Sequence, residues 1–68
     1  MKLSARNQLK GKILEVVKGA TTAHVKIELP GGAVVTASIT NDAVADLALA
    51  KSDQVMAVIK ASDVMVAK

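Results

Sequence analysis

The sequence predicts a small all-β protein with one short helix, arranged as a five-stranded OB-like Greek-key barrel. Apolar and polar residues alternate along much of the first forty positions, which is typical of half-buried strands. The hydrophobic period then changes to that of a helix over one short segment, and two further β-type runs end the chain. The resulting order, β-β-β-α-β-β, is the one that an OB barrel requires.

Three alternating runs predict an antiparallel meander. They cover residues 9–17, 23–29 and 34–39, with turn-forming residues Lys18-Gly19-Ala20 after the first and Pro30-Gly31-Gly32 after the second. The alternation of the first run breaks near Ile13 and Leu14, where we expect a bulge or a sharp bend.

One short helix is predicted over residues 42–47, with Thr40 and Asn41 as candidate caps. The last two runs, 54–60 and 64–67, are apolar on both faces, which is typical of strands buried on both sides. Because a chain of 68 residues has a single core, we expect the second face to pack against another subunit.

The composition agrees with a self-associating single domain over residues 1–68. Hydrophobic residues make up 51% of the chain, yet Phe, Tyr and Trp are absent, so many small aliphatic side chains should leave apolar surface uncovered. The absence of Cys excludes disulfides and thiolate zinc sites. No apolar run approaches the roughly 18 residues of a membrane span, and no signal peptide is apparent, so we expect a soluble cytoplasmic protein without membrane partners.

Two function classes are disfavoured by the residues. Catalysis needs a nucleophile with a base, or paired carboxylates in a pocket, whereas the acidic residues fall on strand exteriors, the helix start and turns. The lone His24 alternates outward and makes a transition-metal site improbable, so we expect no enzyme and no direct metal ligands. An OB-type nucleic-acid module remains the less favoured alternative. Nine basic against six acidic residues give little excess positive charge for phosphate contacts, and no aromatic ring is present on which bases could stack.

Two short stretches offer converging donors for a small oxyanion. Ser4-Ala5-Arg6-Asn7 (the SARN segment) supplies a hydroxyl, a carboxamide and backbone N–H groups, and Lys60-Ala61-Ser62 (the KAS segment) supplies an ammonium, amides and a hydroxyl. From the residues alone, Ser4 and Asn7 can equally cap a turn, Arg6 can pair with a carboxylate, and KAS can belong to an ordinary hairpin.

The chain resembles the molbindins, the small Mop-type molybdate-binding proteins, in four stretches: SARNQLKGKI, VKGATTAHVKIEL, GGAVVTASIT and VMAVIKASDVMV. The resemblance covers essentially the whole chain. It implies an OB-like fold, a hexamer built as a trimer of dimers, and molybdate or tungstate held between subunits. It also implies a role in intracellular molybdenum storage or homeostasis.

The site residues follow from the same resemblance, position by position. Ser4, Ala5, Arg6 and Asn7 match the first anion-binding segment, and Lys60, Ala61 and Ser62 match the second, which is expected from a neighbouring subunit. Gly19, Ala20, Thr21 and Thr22 fall where a further oxyanion site near a threefold axis is expected. Molybdopterin is the rival ligand, although the chain has no aromatic ring to sandwich a pterin.

Overall fold

The computed structural model describes residues 2–68, which form one antiparallel sheet, one α-helix and one 3₁₀ turn. The elements are β1 (Asn7–Lys18), β2 (Thr22–Glu28), β3 (Val34–Thr40), α1 (Asn41–Asp46), β4 (Gln54–Ile59) and the 3₁₀ turn Ala61–Asp63. The strand order is β3-β2-β1-β4, so the predicted meander of the first three strands is confirmed, as is the all-β class with one short helix. The sheet is curled into a half-barrel.

Strand alternation places one apolar face of the sheet inward. The buried hydrophobic residues are Ile13, Ala23, Val25, Ile27, Val44 and Ala57. The predicted bulge is confirmed, because the β1–β2 register shifts between Ile13 and Glu15. Gly11 lies under the neighbouring strand, where an added Cβ would stand 2.5 Å from Ile27 Cγ2 and 2.7 Å from the Glu28 carbonyl oxygen. Only glycine allows the two strands this close.

The helix begins one residue earlier than predicted. Thr40 is its N-cap, with Oγ1 accepting a hydrogen bond from Ala43 N at 3.0 Å. Val44 packs into the core, whereas Leu47 after the helix is exposed. The turn that follows holds Ala48 at φ 50°, a left-handed conformation that is strained for a residue with a Cβ.

The predicted five-strand count is not confirmed. Within residues 2–68 the segment 64–67 pairs with no strand, and Met65 and Val66 are each 93% exposed. The reason is local: after β4 the backbone closes a 3₁₀ turn, with Val64 N donating to the Ala61 carbonyl at 3.2 Å instead of starting a ladder. In the single chain Val58 of β4 is 43% exposed, so the expected packing of this face against another subunit stays a prediction.

Candidate oxyanion site

A cleft of about 570 Å³ lies at the end of the sheet where β1 begins and β4 ends. Asn7 is the register partner of Ile59, so the residues before β1 meet the residues after β4. The lining consists of Ser4, Ala5, Arg6, Val58, Lys60, Ala61, Ser62 and Asp63. Six of the seven residues proposed for the first oxyanion site therefore share one cleft.

Both segments of this cleft belong to the same chain. The sequence analysis expected KAS to come from a neighbouring subunit, but the antiparallel β1–β4 ladder is sufficient to bring SARN and KAS together. Whether a second copy also contributes to the site stays a prediction.

The donors of the cleft are not committed to other partners within residues 2–68. The Ser4 and Ser62 hydroxyls make no hydrogen bond there, and Arg6 forms no ion pair. The backbone N–H groups of Arg6, Ala61 and Ser62 also meet no acceptor among the described residues. The alternative roles in capping and ion pairing are therefore not what these groups do in this structure.

Three carbonyl oxygens of the cleft, in contrast, are already occupied. Gln8 Nε2 donates to the Ala5 carbonyl at 3.0 Å, Asp63 N to the Lys60 carbonyl at 2.9 Å, and Val64 N to the Ala61 carbonyl at 3.2 Å. Intramolecular donors mask these acceptors while the N–H and O–H groups stay free. The result is a surface rich in donors, which suits a fully deprotonated anion. Gln8 was missed by the sequence analysis because a carboxamide three residues after Ala5 carries no motif of its own.

Asn7 makes a structural hydrogen bond at the start of β1, and its expected contact with the anion stays a prediction. Its Nδ2 donates to the Ile59 carbonyl at 3.2 Å, which fastens the start of β1 to the end of β4, and it does not line the cleft. Two lining residues were missed by the sequence analysis, Val58 and Asp63. Asp63 stands directly after KAS, so considering the turn as a whole would have included it.

The charges around the cleft are mixed. Arg6 and Lys60 bring two cations, and Asp63 brings one carboxylate, so the lining has a formal charge of +1. All three side chains are exposed, which means that water screens their fields. Neutral donors must therefore supply much of the discrimination between anions.

The second predicted site lies at the opposite end of β1, in the turn of residues 19–22. Gly19, Ala20, Thr21 and Thr22 are all exposed, and Gly19 N donates to the Thr22 carbonyl at 2.7 Å. This turn does not contribute to the SARN–KAS cleft. The two candidate sites are separate.

Neither a metal cluster nor a membrane helix occurs in the described part of the chain. Residues 2–68 contain no group of three or more His, Cys, Asp or Glu side chains that could hold a metal ion. None of their helices is long and apolar enough to cross a membrane.

The curled sheet and its donor-rich cleft define a small OB-like binding domain. The model of the TOBE domain family matches residues 3–66, and the chain belongs to this family. Molybdenum-pterin-binding protein 3 of Clostridium pasteurianum is 48% identical over 66 residues, which are 97% of each chain. The resemblance to molbindins is thereby confirmed.

Two solved structures share the fold. A molybdate-binding protein from Sporomusa ovata superposes with a TM-score of 0.94 at 41% identity, covering 100% of both chains. The cytoplasmic molybdate-binding protein ModG, solved with molybdate bound, gives a TM-score of 0.91 at 43% identity over 96% of this chain and 46% of its own. The fold of this chain is thus one on which molybdate binding is known.

Proposed function

We propose that this chain binds molybdate, or its close analogue tungstate, in the SARN–KAS cleft. The observation that supports this most is the state of the polar groups: the Ser4 and Ser62 hydroxyls and the neighbouring N–H groups are free, while the carbonyls of Ala5, Lys60 and Ala61 already accept hydrogen bonds. A molybdate dianion only accepts hydrogen bonds at neutral pH, so each free donor finds a partner. Lys60 and Arg6 add charge-assisted contacts.

We further propose that the exposed turn of Gly19, Ala20, Thr21 and Thr22 is a second oxyanion site. The turn offers two hydroxyls and free N–H groups, with Lys18 next to it in sequence. It is the weaker site of the two by composition, because Lys18 is its one neighbouring cation in the sequence whereas Arg6 and Lys60 both line the cleft.

The first site is proposed to lie at a subunit interface of a homo-oligomer, with a hexamer built as a trimer of dimers as the expected assembly. Val58 lines the cleft and is 43% exposed, and the apolar segment 64–67 follows the cleft directly. A second copy covering this surface would exclude water from the anion and so strengthen every hydrogen bond to it.

The interface proposal is tested with Met65→Lys, which places a charge in the exposed apolar segment without touching the cleft lining. We expect a smaller oligomer by sedimentation and weaker molybdate binding by calorimetry. Ala45→Lys, on the exposed side of α1, is the matched control. A dissociated Met65→Lys variant that binds molybdate as tightly as the wild type would exclude an interface site.

The biological role we assign is intracellular storage and homeostasis of molybdenum in the cytoplasm, without catalysis. A small binding domain whose ligand sites are donor surfaces is suited to reversible uptake of an oxyanion. The relatives named above are binding proteins, and ModG is described as cytoplasmic.

A pterin ligand is the second candidate, favoured by the name of the relative from Clostridium pasteurianum. The cleft volume of about 570 Å³ lies in the range of organic ligand sites, but its lining has no aromatic ring. Calorimetry with molybdate alone and with molybdopterin alone separates the two: heat only with the pterin would overturn the oxyanion proposal.

The central experiment is a calorimetric titration of the oligomer with molybdate, sulfate and phosphate. We expect molybdate to bind and phosphate to bind more weakly, because the free N–H and O–H groups cannot accept its remaining proton and an unmatched polar contact costs about 1–3 kcal/mol. The Asp63 carboxylate is the acceptor side chain in the lining, and its replacement tests this argument. A single-stranded oligonucleotide serves as a further ligand. Oligonucleotide binding with a steep salt dependence and no heat with molybdate would instead identify a nucleic-acid module.

A further inference from the structure

The turn of residues 19–22 is held in place by Asn41, a residue from another element. Asn41 is the first residue of α1, and its backbone N donates to the Thr21 carbonyl at 2.9 Å. Its side-chain Nδ2 donates to the Gly19 carbonyl at 3.0 Å. One residue thus binds two carbonyl oxygens of the same short turn.

The remaining bond of the turn completes the same pattern. Gly19 N donates to the Thr22 carbonyl, and an added Cβ on Gly19 would stand 2.8 Å from that oxygen, so the turn is tight. Three carbonyls are therefore occupied. The N–H groups of Ala20 and Thr21 and both threonine hydroxyls meet no acceptor among residues 2–68. The Ala20 carbonyl is the one that stays free within the described residues, so donors outnumber free carbonyls in this turn.

The orientation of the Asn41 amide is set by this turn. Asn41 Oδ1 is buried without a hydrogen-bond partner among the described residues, which costs free energy. The flipped amide would place Oδ1 against the Gly19 carbonyl, so that two acceptors would face each other. Donation to Gly19 therefore decides the orientation, even though it leaves Oδ1 unpaired.

We propose that Asn41 is a positioning residue for the second oxyanion site: its side chain occupies the Gly19 carbonyl and its backbone N–H the Thr21 carbonyl, which leaves the turn with more free donors than free acceptors. This inference rests on the proposed function of the 19–22 turn. A neutral carboxamide suits the role because it donates without carrying charge. An aspartate at this position would remove the donor and set a negative charge beside the anion.

The test uses Asn41→Asp and Asn41→Ala, with Thr40→Ala as the matched control. Thr40 caps the same helix through Ala43 N, so its loss perturbs α1 but leaves the turn carbonyls bound. Equilibrium dialysis with molybdate over a wide concentration range should resolve two classes of site in the wild type. We expect Asn41→Ala to weaken the second class roughly threefold to tenfold, and Asn41→Asp to weaken it further.

If Asn41 positions the second site, its loss should weaken molybdate binding at that site alone. If Asn41 only supports the fold, its loss should affect both sites. In both Asn41 variants the SARN–KAS cleft should bind molybdate with the wild-type affinity. Thr40→Ala should lose about as much thermal stability as the Asn41 variants and still show both classes of molybdate site. Loss of the second class in Thr40→Ala, or its retention in both Asn41 variants, would overturn the inference. A wild type with the cleft class alone would overturn the second site together with it, and a wild type that binds no molybdate would overturn the proposed function itself.

Discussion

Asp63→Asn should strengthen molybdate binding, because Asp63 is the carboxylate that lines the cleft beside Arg6 and Lys60. The size of the effect follows from Coulomb's law for a dianion held about 7 Å from the carboxylate, a separation chosen for the calculation. At that distance a dianion and a carboxylate repel by about 1 kcal/mol in a water-like dielectric, and physiological salt reduces this by about half. We expect a gain of roughly twofold to threefold at physiological salt and about fivefold at low salt.

Phosphate should respond differently from molybdate to this change. Hydrogen phosphate carries a proton that Asp63 can accept, and an Asn carbonyl is a weaker acceptor than a carboxylate. For phosphate, the affinity gained by removing the repulsion from the Asp63 carboxylate is therefore offset by the loss of the hydrogen bond from phosphate to that carboxylate. Asp63→Asn is therefore expected to raise the molybdate-to-phosphate affinity ratio, as well as the molybdate affinity.

The assay is parallel calorimetry of both anions at two salt concentrations, with Asp46→Asn as the control for net charge. Asp46 is an exposed carboxylate at the end of α1, outside the cleft lining. Equal gains in both variants would show that the effect is a long-range one of total charge. An unchanged molybdate affinity in Asp63→Asn would refute the placement of the anion between SARN and KAS.

Three further predictions concern the cleft and the fold. Lys60→Ala should weaken molybdate binding roughly tenfold to a hundredfold by calorimetry, since it removes a charge-assisted contact, whereas Ser62→Ala should cost only about 0.5–1.5 kcal/mol. Gly11→Ala should destabilise the protein in urea unfolding by about 1–3 kcal/mol, because the new Cβ would stand 2.5 Å from Ile27 Cγ2. Ala48→Gly should raise the thermal midpoint, with a gain of about 0.5–1 kcal/mol, because it relieves a φ of 50°. Each prediction fails on one result. These results are an unchanged molybdate affinity in Lys60→Ala, an unchanged urea midpoint in Gly11→Ala and a lower thermal midpoint in Ala48→Gly.

The parts of the fold that follow from local pattern could be predicted from the sequence. Alternation along β2 and the glycine turn after it are cues carried by neighbouring residues, and the bulge near Ile13 followed from a break in the same pattern. The run 64–67 has equally strong apolar character, but apolar character alone does not say what covers it. In this chain it follows the 3₁₀ turn of residues 61–63 and pairs with no strand, and periodicity does not predict that turn.

The candidate site was only partly predictable for a related reason. The donor types of SARN and KAS are visible in the sequence, but which donors are free depends on hydrogen bonds formed after folding. The Asn7 side chain donates a hydrogen bond to the Ile59 carbonyl, which lies outside the cleft lining. The Gln8 side chain donates to the Ala5 carbonyl and so removes an acceptor from the cleft. Neither role can be inferred without the β1–β4 register.

The two ends of β1 show how a chain with a formal charge of only +3 can favour an anion. At the SARN end Gln8 occupies the Ala5 carbonyl, and at the other end Asn41 occupies the Gly19 carbonyl. In each place a neutral carboxamide removes an acceptor and leaves neighbouring N–H groups free. Because such groups select by hydrogen-bond polarity and not by net charge, they favour a dianion without protons over one that must donate. This accounts for why the overall charge balance of the sequence is a weak guide to its ligand, and why substitutions of Gln8 should alter selectivity more than salt dependence.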